Sequence, residues 1–216
     1  TSGSTALWLA VNGIRSGEFD VALVIGAEKM SVPGLGLLHG GSAEIETQLG
    51  LVMPASFALR AIRYQHEFGA TERQLAEVAV KNRRHAAHNP LAQFRDPVTL
   101  EQVLASPLIA DPITRLQCCP MADGAAAAVL ASGRVARSRQ RAVRVDAAVL
   151  CTGSYENPAD LVRWETDRRG CQMAYERAGI GPQDLDVVEC HDAFTIAEIL
   201  HTESMGLCGP GEGVRL

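Results

Sequence analysis

The opening helix-and-strand pair constrains the fold most. From Ala6 to Ile14 the chain reads Ala6, Leu7, Trp8, Leu9, Ala10, Val11 and Ile14, apolar on most sides of a helix. A helix that is apolar all round belongs in an interior. Ser2 or Ser4 can cap it, and Gly17 stands where a glycine would stop it. The next apolar run, Val21 to Ile25, shows no alternation, which suits a strand covered on both faces of a parallel sheet. Helix followed by unalternating strand predicts a layered α/β fold. At 216 residues and 47% hydrophobic, the chain can bury a sizeable core.

A long helical passage then interrupts the pattern. After a loop-like stretch over 31–50, helices are expected at about Pro54 to Phe68 and from Thr71 to about Asn89-Pro90. The second opens with a capping box, Thr71 with Gln74 three residues on. A short third helix fits "TLEQVLAS", capped by Thr99. The next strand is expected at Gly124 to Ser132, "GAAAAVLAS", whose tiny side chains invite a closely packed helix. "RVARSRQRAV" reads as a polar hinge, and "VRVDAAVLCTG" begins another strand. A helix over about Pro158 to Ala178 should turn Trp164, Cys171, Met173 and Ala174 inward, and "GIGPQDLD" is a turn. "VVECHDAFT" is expected to be a strand ending on polar residues, followed by the helix "IAEILHTESMGL" and the glycine-rich "CGPGEGVRL". That last strand–helix pair has no successor, so the C-terminal half is expected to be cut short.

Charge and cysteine usage narrow the function. A net charge of −5 argues against the basic face of a nucleic-acid binder. No apolar run reaches the roughly 20 residues of a membrane helix, and no secretory h-region is present. The six cysteines, 118, 119, 151, 171, 190 and 208, form no CxxC pair and no disulfide framework, which suits a reducing cytoplasm. The basic residues are nearly all Arg, with only Lys29 and Lys81 as Lys, a hint of a GC-rich, bacterial genome.

His191-Asp192 falls at the expected C-terminal end of a strand just before a helix, the edge at which open α/β sheets bind ligands. Cys190 and His191 would point to opposite faces, and His191 is the better pocket candidate. A histidine there can donate to a developing oxyanion or shuttle a proton, and it serves equally as a simple cap of the next helix. Cys118-Cys119-Pro120 could be reactive or merely buried, and Asp123-Gly124 suits the turn into the next strand. His85-x-x-His88 has a metal-ligand spacing but no third ligand, beside the repelling charges of Arg83 and Arg84, so no metal is expected. "GLGLLHGG", Gly34 to Gly41, is a near miss for a phosphate loop. Arg83, Arg84, Arg95 and Arg115 could meet a nucleotide phosphate or simply form a solvated face. A thiol at the first helix's N-terminus would be activated, but Ser2 to Ser4 include none.

Taken together, "GSTALWLAVNGIRSGEFDVALVIGAEKM", "HNPLAQF", "PLIADPITRLQCCPMADGAAAAVLAS" and "VVECHDAFTIAEILHTESMGLCGPGEG" resemble the thiolase family, specifically its sterol-carrier-protein-x type and the bacterial lipid-transfer-like acetyl-CoA acetyltransferases. The resemblance spans nearly the whole chain in the family's order. It implies an α-β-α-β-α layered fold, truncated here at both ends. Residues 1–30 and 124–140 would belong to the N-terminal thiolase half, 31–123 to an inserted loop domain, and 141–216 to the start of the C-terminal half. Gly3-Ser4-Thr5-Ala6 match the family's C-x-x-G-S-T-A, which would put the nucleophilic cysteine one residue before Thr1. A later G-H-P histidine and second active-site cysteine would lie past Leu216, leaving residues 1–216 alone inactive.

His191 falls on the first position of the motif that reads Asn-Glu-Ala-Phe in ordinary thiolases. The resemblance makes it a donor to the substrate thioester oxygen, with Asp192 and Phe194 shaping the loop and Cys119 touching the pantetheine arm. The implied reaction is thiolysis of a 3-oxoacyl-CoA, or the reverse condensation, in fatty-acid or steroid side-chain metabolism. Coenzyme A is a substrate and no resident cofactor is implied. A homodimer or tetramer is expected, with the Val21–Ile25 strand as an interface that the monomer core would explain equally well. Two alternatives stand beside this. One is a thiolase-like aldolase of steroid side-chain degradation with an OB-fold acyl-CoA-binding partner, against which His rather than Tyr at 191 argues. The other is a non-catalytic lipid-transfer or assembly subunit.

Overall fold

The structure is a computed structural model and describes residues 2–32, 45–137, 141–153 and 160–215. The first helix, α1 (Ser2–Ser16), ends as its sequence requires. Gly17 adopts φ +77°, and the Glu18 N–H reaches the Gly13 carbonyl at 3.0 Å. β1 (Val21–Glu28) follows, and α1 lies against it with Gly3 and Gly26 face to face.

β1 pairs with β4 (Gly124–Ala131) in an unbroken antiparallel register, from Val21 opposite Ala131 to Glu28 opposite Gly124. The expectation of a parallel sheet is thus corrected for this pair. The long passage between the strands lets the chain return in either sense, and it returns antiparallel. Asp123 closes the open end of the pair. Its carboxylate accepts the N–H groups of Met30 and Ser31 at 2.7 and 2.8 Å, the Ser31 hydroxyl, and the Lys29 ammonium at 3.4 Å. The Ser31 hydroxyl first, with these N–H groups, holds that carboxyl below its ordinary range. A residue expected only to turn the chain therefore ties two strand ends together.

The expectation of a strand covered on both faces is also corrected. Among the described residues Leu23 and Ile25 remain 62% and 58% exposed, and only Val24 of β1 is buried. Likewise α1 buries Ala10, Val11 and Gly13 but leaves Leu9 in solvent, and β4 is exposed from Gly124 to Val129.

The insertion is helical, as expected: α2 (Ile45–Gln48), α3 (Met53–Phe68), α4 (Glu72–Ala86) and α5 (Leu100–Leu104). Both capping boxes form. Thr71 accepts the Gln74 N–H at 3.3 Å and Thr99 accepts the Gln102 N–H at 3.2 Å, while each Gln side chain returns to the cap's own N–H. A two-stranded hairpin, β2 (Leu108–Ala110) and β3 (Ile113–Thr114), and a 3₁₀ turn over Arg115–Gln117 lead to β4. The stretch "GLGLLHGG" lies outside the described residues.

After α6 (Gly133–Ala136), the passage over 143–153, expected as a strand, belongs to no strand or helix and pairs with no strand among the described residues. Arginines satisfy its carbonyls instead. Arg15 of α1 donates to the oxygens of Val145 and Asp146, and Arg177 to that of Ala148. α7 (Glu165–Ala178) starts later than its pattern suggests, because Asp160 caps a turn through the N–H groups of Val162 and Arg163. The 187–194 passage, expected as a strand, is also irregular apart from one bridge between Cys118 and Phe194.

The core sits away from the sheet, around α8 (Thr195–Ser204). Ile196, Ile199 and Leu200 are buried against Ala61 and Tyr64 of α3 and Leu75 of α4, with Ile113 and Val162 closing the ends. The Tyr64 hydroxyl bonds the Glu203 carboxylate, which also accepts the N–H groups of Gly211 and Gly213 at 3.0 Å each. The glycine-rich "CGPGEG" is thereby folded back over α8. Leu200→Ala, which empties this centre, is expected to cost about 2–5 kcal/mol, against about 0.5–2 kcal/mol for Thr71→Ala. Denaturant titration checks this; an equal or larger cost at Thr71 would show that the core is not centred on α8.

Candidate functional site

Five consecutive residues, His191 to Thr195, are each fastened by a different group. The His191 carbonyl lies 3.1 Å from Nε2 of His201 on α8. An oxygen of the Asp192 carboxylate accepts from the Asn82 amide of α4 at 3.0 Å. The Ala193 carbonyl accepts the Cys119 N–H at 2.8 Å. The Phe194 ring stacks on Phe57 of α3 with centroids 4.4 Å apart. The Thr195 hydroxyl meets the amide of Gln117 at 3.4 Å, and Gln117 is itself buried and held by Thr114. A loop so fastened presents its side chains in fixed directions, which a site needs.

Beside it lies an open cleft of about 250 Å³ between the C-terminal end of α4 and the 116–120 segment. Asn82, Arg83, Phe94, Cys119, Pro120 and Asp192 are among its walls. Two of the expected site residues, Cys119 and Asp192, therefore share one cleft. His191 is solvent-exposed one residue outside that wall. Phe194 corrects its expectation as a ligand contact. It is 6% exposed and spends its ring on Phe57, so it holds the loop from beneath.

Arg83 alone of the four arginines flagged in the sequence lines this cleft, where its guanidinium stacks over Phe94 at 4.6 Å. Arg84 lines a separate cavity between α4 and α8, and Arg95 leans toward the Ala87 carbonyl. His85 and His88 are exposed, and the described residues hold no group of three potential metal ligands.

Asn82 is the cleft's unforeseen member, and its neighbour Lys81 lines the separate cavity between α4 and α8. The Asn82 amide is shared by Asp192 and Glu198, at 3.0 and 2.8 Å. The Lys81 ammonium donates to both the Glu198 carboxylate at 2.6 Å and the side-chain amide oxygen of Asn82 at 2.7 Å. Sequence offered only a Lys-Asn pair on a helix, with no sign that two carboxylates from a segment over a hundred positions away would meet it. Burial first, and then the Glu198 charge, push the Asp192 carboxyl above its ordinary value, with Lys81 and a backbone hydrogen bond pulling the other way.

The thiols are quiet. Burial raises Cys119, and it pushes Cys118 and Cys190 up to about 11 each. A nucleophilic cysteine needs the opposite shift, so Cys118 and Cys119 line the cleft as neutral thiols and Cys190 stays neutral near Asp192.

The N-terminal stretch, residues 1–134, matches the family described as thiolase, N-terminal domain, and residues 147–216 match thiolase C-terminal domain-like. The chain belongs to the thiolase family. It is 41% identical to benzoylsuccinyl-CoA thiolase subunit BbsB of Thauera aromatica, covering all of this chain and 57% of that one. It is 33% identical to sterol carrier protein 2 of Homo sapiens, covering all of this chain and 43% of that protein. The solved Ltp2-ChsH2(DUF35) aldolase superposes with a TM-score of 0.83 at 27% identity, over 99% of this chain and 59% of that one. The chain thus spans about half the length of the curated relatives it matches. Within this thiolase-family frame, the α/β class and the helical insertion are as expected.

The raised Asp192 carboxyl carries a sign. A group whose pKa is higher when folded favours the fold below its ordinary value of about 3.8 and opposes it as pH rises through the folded value. Asp192→Asn is therefore expected to raise the melting temperature at pH 7 relative to the parent and to leave it nearly unchanged near pH 3. A lower melting temperature at pH 7 would show that the ionised carboxylate stabilises the loop.

Proposed function

We propose that this chain forms part of a thiolase-type acyl-CoA C-acyltransferase, with His191 as the oxyanion donor. The observation that carries the reading is the fastening of the His191–Thr195 segment beside a cleft in a chain of the thiolase family. Preorganised donors aimed at developing charge contribute more to catalysis than flexible ones, since they need no reorganisation during reaction.

In the degradative direction the nucleophilic cysteine, expected just before Thr1, attacks the 3-oxo carbonyl of a 3-oxoacyl-CoA. The bond between the second and third carbons breaks, and its electron pair passes to an enolate on the departing acyl-CoA. An imidazole N–H of His191 donates to that enolate's thioester oxygen. The enolate carbon takes up the proton that the cysteine thiol gave up, which releases acetyl-CoA or propionyl-CoA, and the thiol of free coenzyme A then takes the shortened acyl group and returns its own proton to the cysteine. Splitting the cleavage in two lowers each barrier. Cys119 and Asp192, which share the cleft, are the candidates to meet the pantetheine arm.

A cytoplasmic homodimer or tetramer fits the reading. The uncovered apolar side chains of β1, Val21, Leu23 and Ile25, suit a subunit interface. No helix among the described residues is long and apolar enough to cross a membrane.

The superposition on the Ltp2-ChsH2(DUF35) aldolase favours a second reading, a lyase that works with an acyl-CoA-binding partner. The codon preceding Thr1 separates the two: cysteine supports thiolysis, and any other residue removes its nucleophile. For the intact enzyme, His191→Ala is expected to cut kcat with acetoacetyl-CoA far more than it raises KM. A fall within about threefold, roughly 0.7 kcal/mol, would rule out the oxyanion role.

A further inference from the structure

His201 sits on α8 between two oxygens. Its Nδ1 lies 2.7 Å from a carboxylate oxygen of Asp167 on α7, and its Nε2 lies 3.1 Å from the His191 carbonyl. Its ring is mostly buried, with 17% of the side chain exposed, and packs edge-on against Trp164 at 4.7 Å. Both neighbouring oxygens only accept hydrogen bonds. A neutral imidazole has one N–H and one lone pair. In either neutral tautomer one nitrogen would therefore press a lone pair against an oxygen.

We infer that His201 is a positioning residue for the His191 peptide, an imidazolium that donates from both ring nitrogens and so couples α7 to the loop that carries the oxyanion donor. The charges around it agree. Asp167 faces it from α7, and Asp192 faces it from the loop that also supplies the His191 carbonyl. From α3, the Arg60 guanidinium lies 5.7 Å from the centroid of Trp164, the ring against which His201 also packs. Burial works against the charged form. The Asp167 hydrogen bond and charge, the His191 carbonyl and Asp192 outweigh it and hold the His201 pKa above its ordinary 6.5. The coupling is therefore complete below that ordinary value and is lost as pH rises through the folded one. Above it, one of the two contacts becomes repulsive, and the His191 peptide loses its tie to α8. The positioning role rests on the reading of His191 as oxyanion donor; the doubly donating ring does not.

The test is nitrogen-15 NMR of the histidine rings in the intact enzyme, with His201 assigned from a His201→Gln variant. At pH 6.5 both His201 nitrogens should read as protonated, with a midpoint above 6.5, a measurement on the parent protein that no folding defect can obscure. Asp167→Asn should lower the midpoint by about one unit or more. A His201 that is mostly neutral at pH 6.5, or a midpoint unmoved by Asp167→Asn, overturns the inference. The second readout is the pH dependence of kcat and KM with acetoacetyl-CoA and coenzyme A. The alkaline fall in kcat should follow the His201 midpoint and move with it in Asp167→Asn, while KM stays unchanged. If the midpoint moves and the kcat profile does not, the positioning role is overturned. Failure of the oxyanion reading appears separately, as retained turnover in His191→Ala.

Discussion

Everything that the candidate site can do depends on the chain between His191 and Thr195 being held in one path. It belongs to no strand or helix until Thr195, so it draws no support from a ladder. Its rigidity comes from side chains and peptides contributed by four other places: α3 through Phe57, α4 through Asn82, the 117–119 segment, and α8 through His201. Each contact is modest, about 0.5–1.5 kcal/mol for a hydrogen bond or a stacked aromatic pair. Because they fall on successive residues, each one restricts the conformations left open to the next. The loop is fixed by their sequence more than by any one of them.

Three of those four places belong to the passage between β1 and β4. The insertion is therefore no detour between two strands but the wall against which the C-terminal half is set. The two capping boxes start α4 and α5 at defined positions. That fixes which turn of α4 brings Asn82 to Asp192 and Glu198, and Arg83 to the cleft beside Phe94. The same helix contributes Leu75 to the core around α8. Core packing and site geometry thus share one rigid element, and a slip of α4 by one residue would break both.

What sequence could show was local. The caps at Thr71 and Thr99, the stop at Gly17, and the amphipathic helices are written within four or five residues of themselves, and apart from the later start of α7 they form where the pattern puts them. The strands were legible as apolar runs but not as partners. Antiparallel and parallel neighbours present the same unalternating side chains to a reader of β1, and 143–153 and 187–194 carry strand-like residues without a ladder to join. Of the candidate site, His191 and Asp192 could be singled out from type and position, and Cys119 only through the family resemblance. Phe194 could not be told from a ligand contact, because a phenylalanine that anchors a loop and one that lines a pocket are written alike. Asn82, Gln117, Asp167 and His201 carry no motif at all; their roles exist only once distant segments meet.

The electrostatic character of the site follows from the same meeting. Cys118 and Cys190 are pushed to about 11 by burial, so the thiols around the loop stay neutral and add no charge of their own. On one side Lys81 offsets the paired carboxylates of Asp192 and Glu198 across Asn82. On the other, His201 is matched by Asp167. The His191 side chain is exposed and its ring makes no hydrogen bond among the described residues, while its backbone carbonyl accepts the anchoring bond. A donor meant to meet negative charge on a substrate must keep its hydrogen-bonding capacity unspent while its position is fixed by other atoms. That division, with the peptide held and the ring free, is the arrangement found at His191.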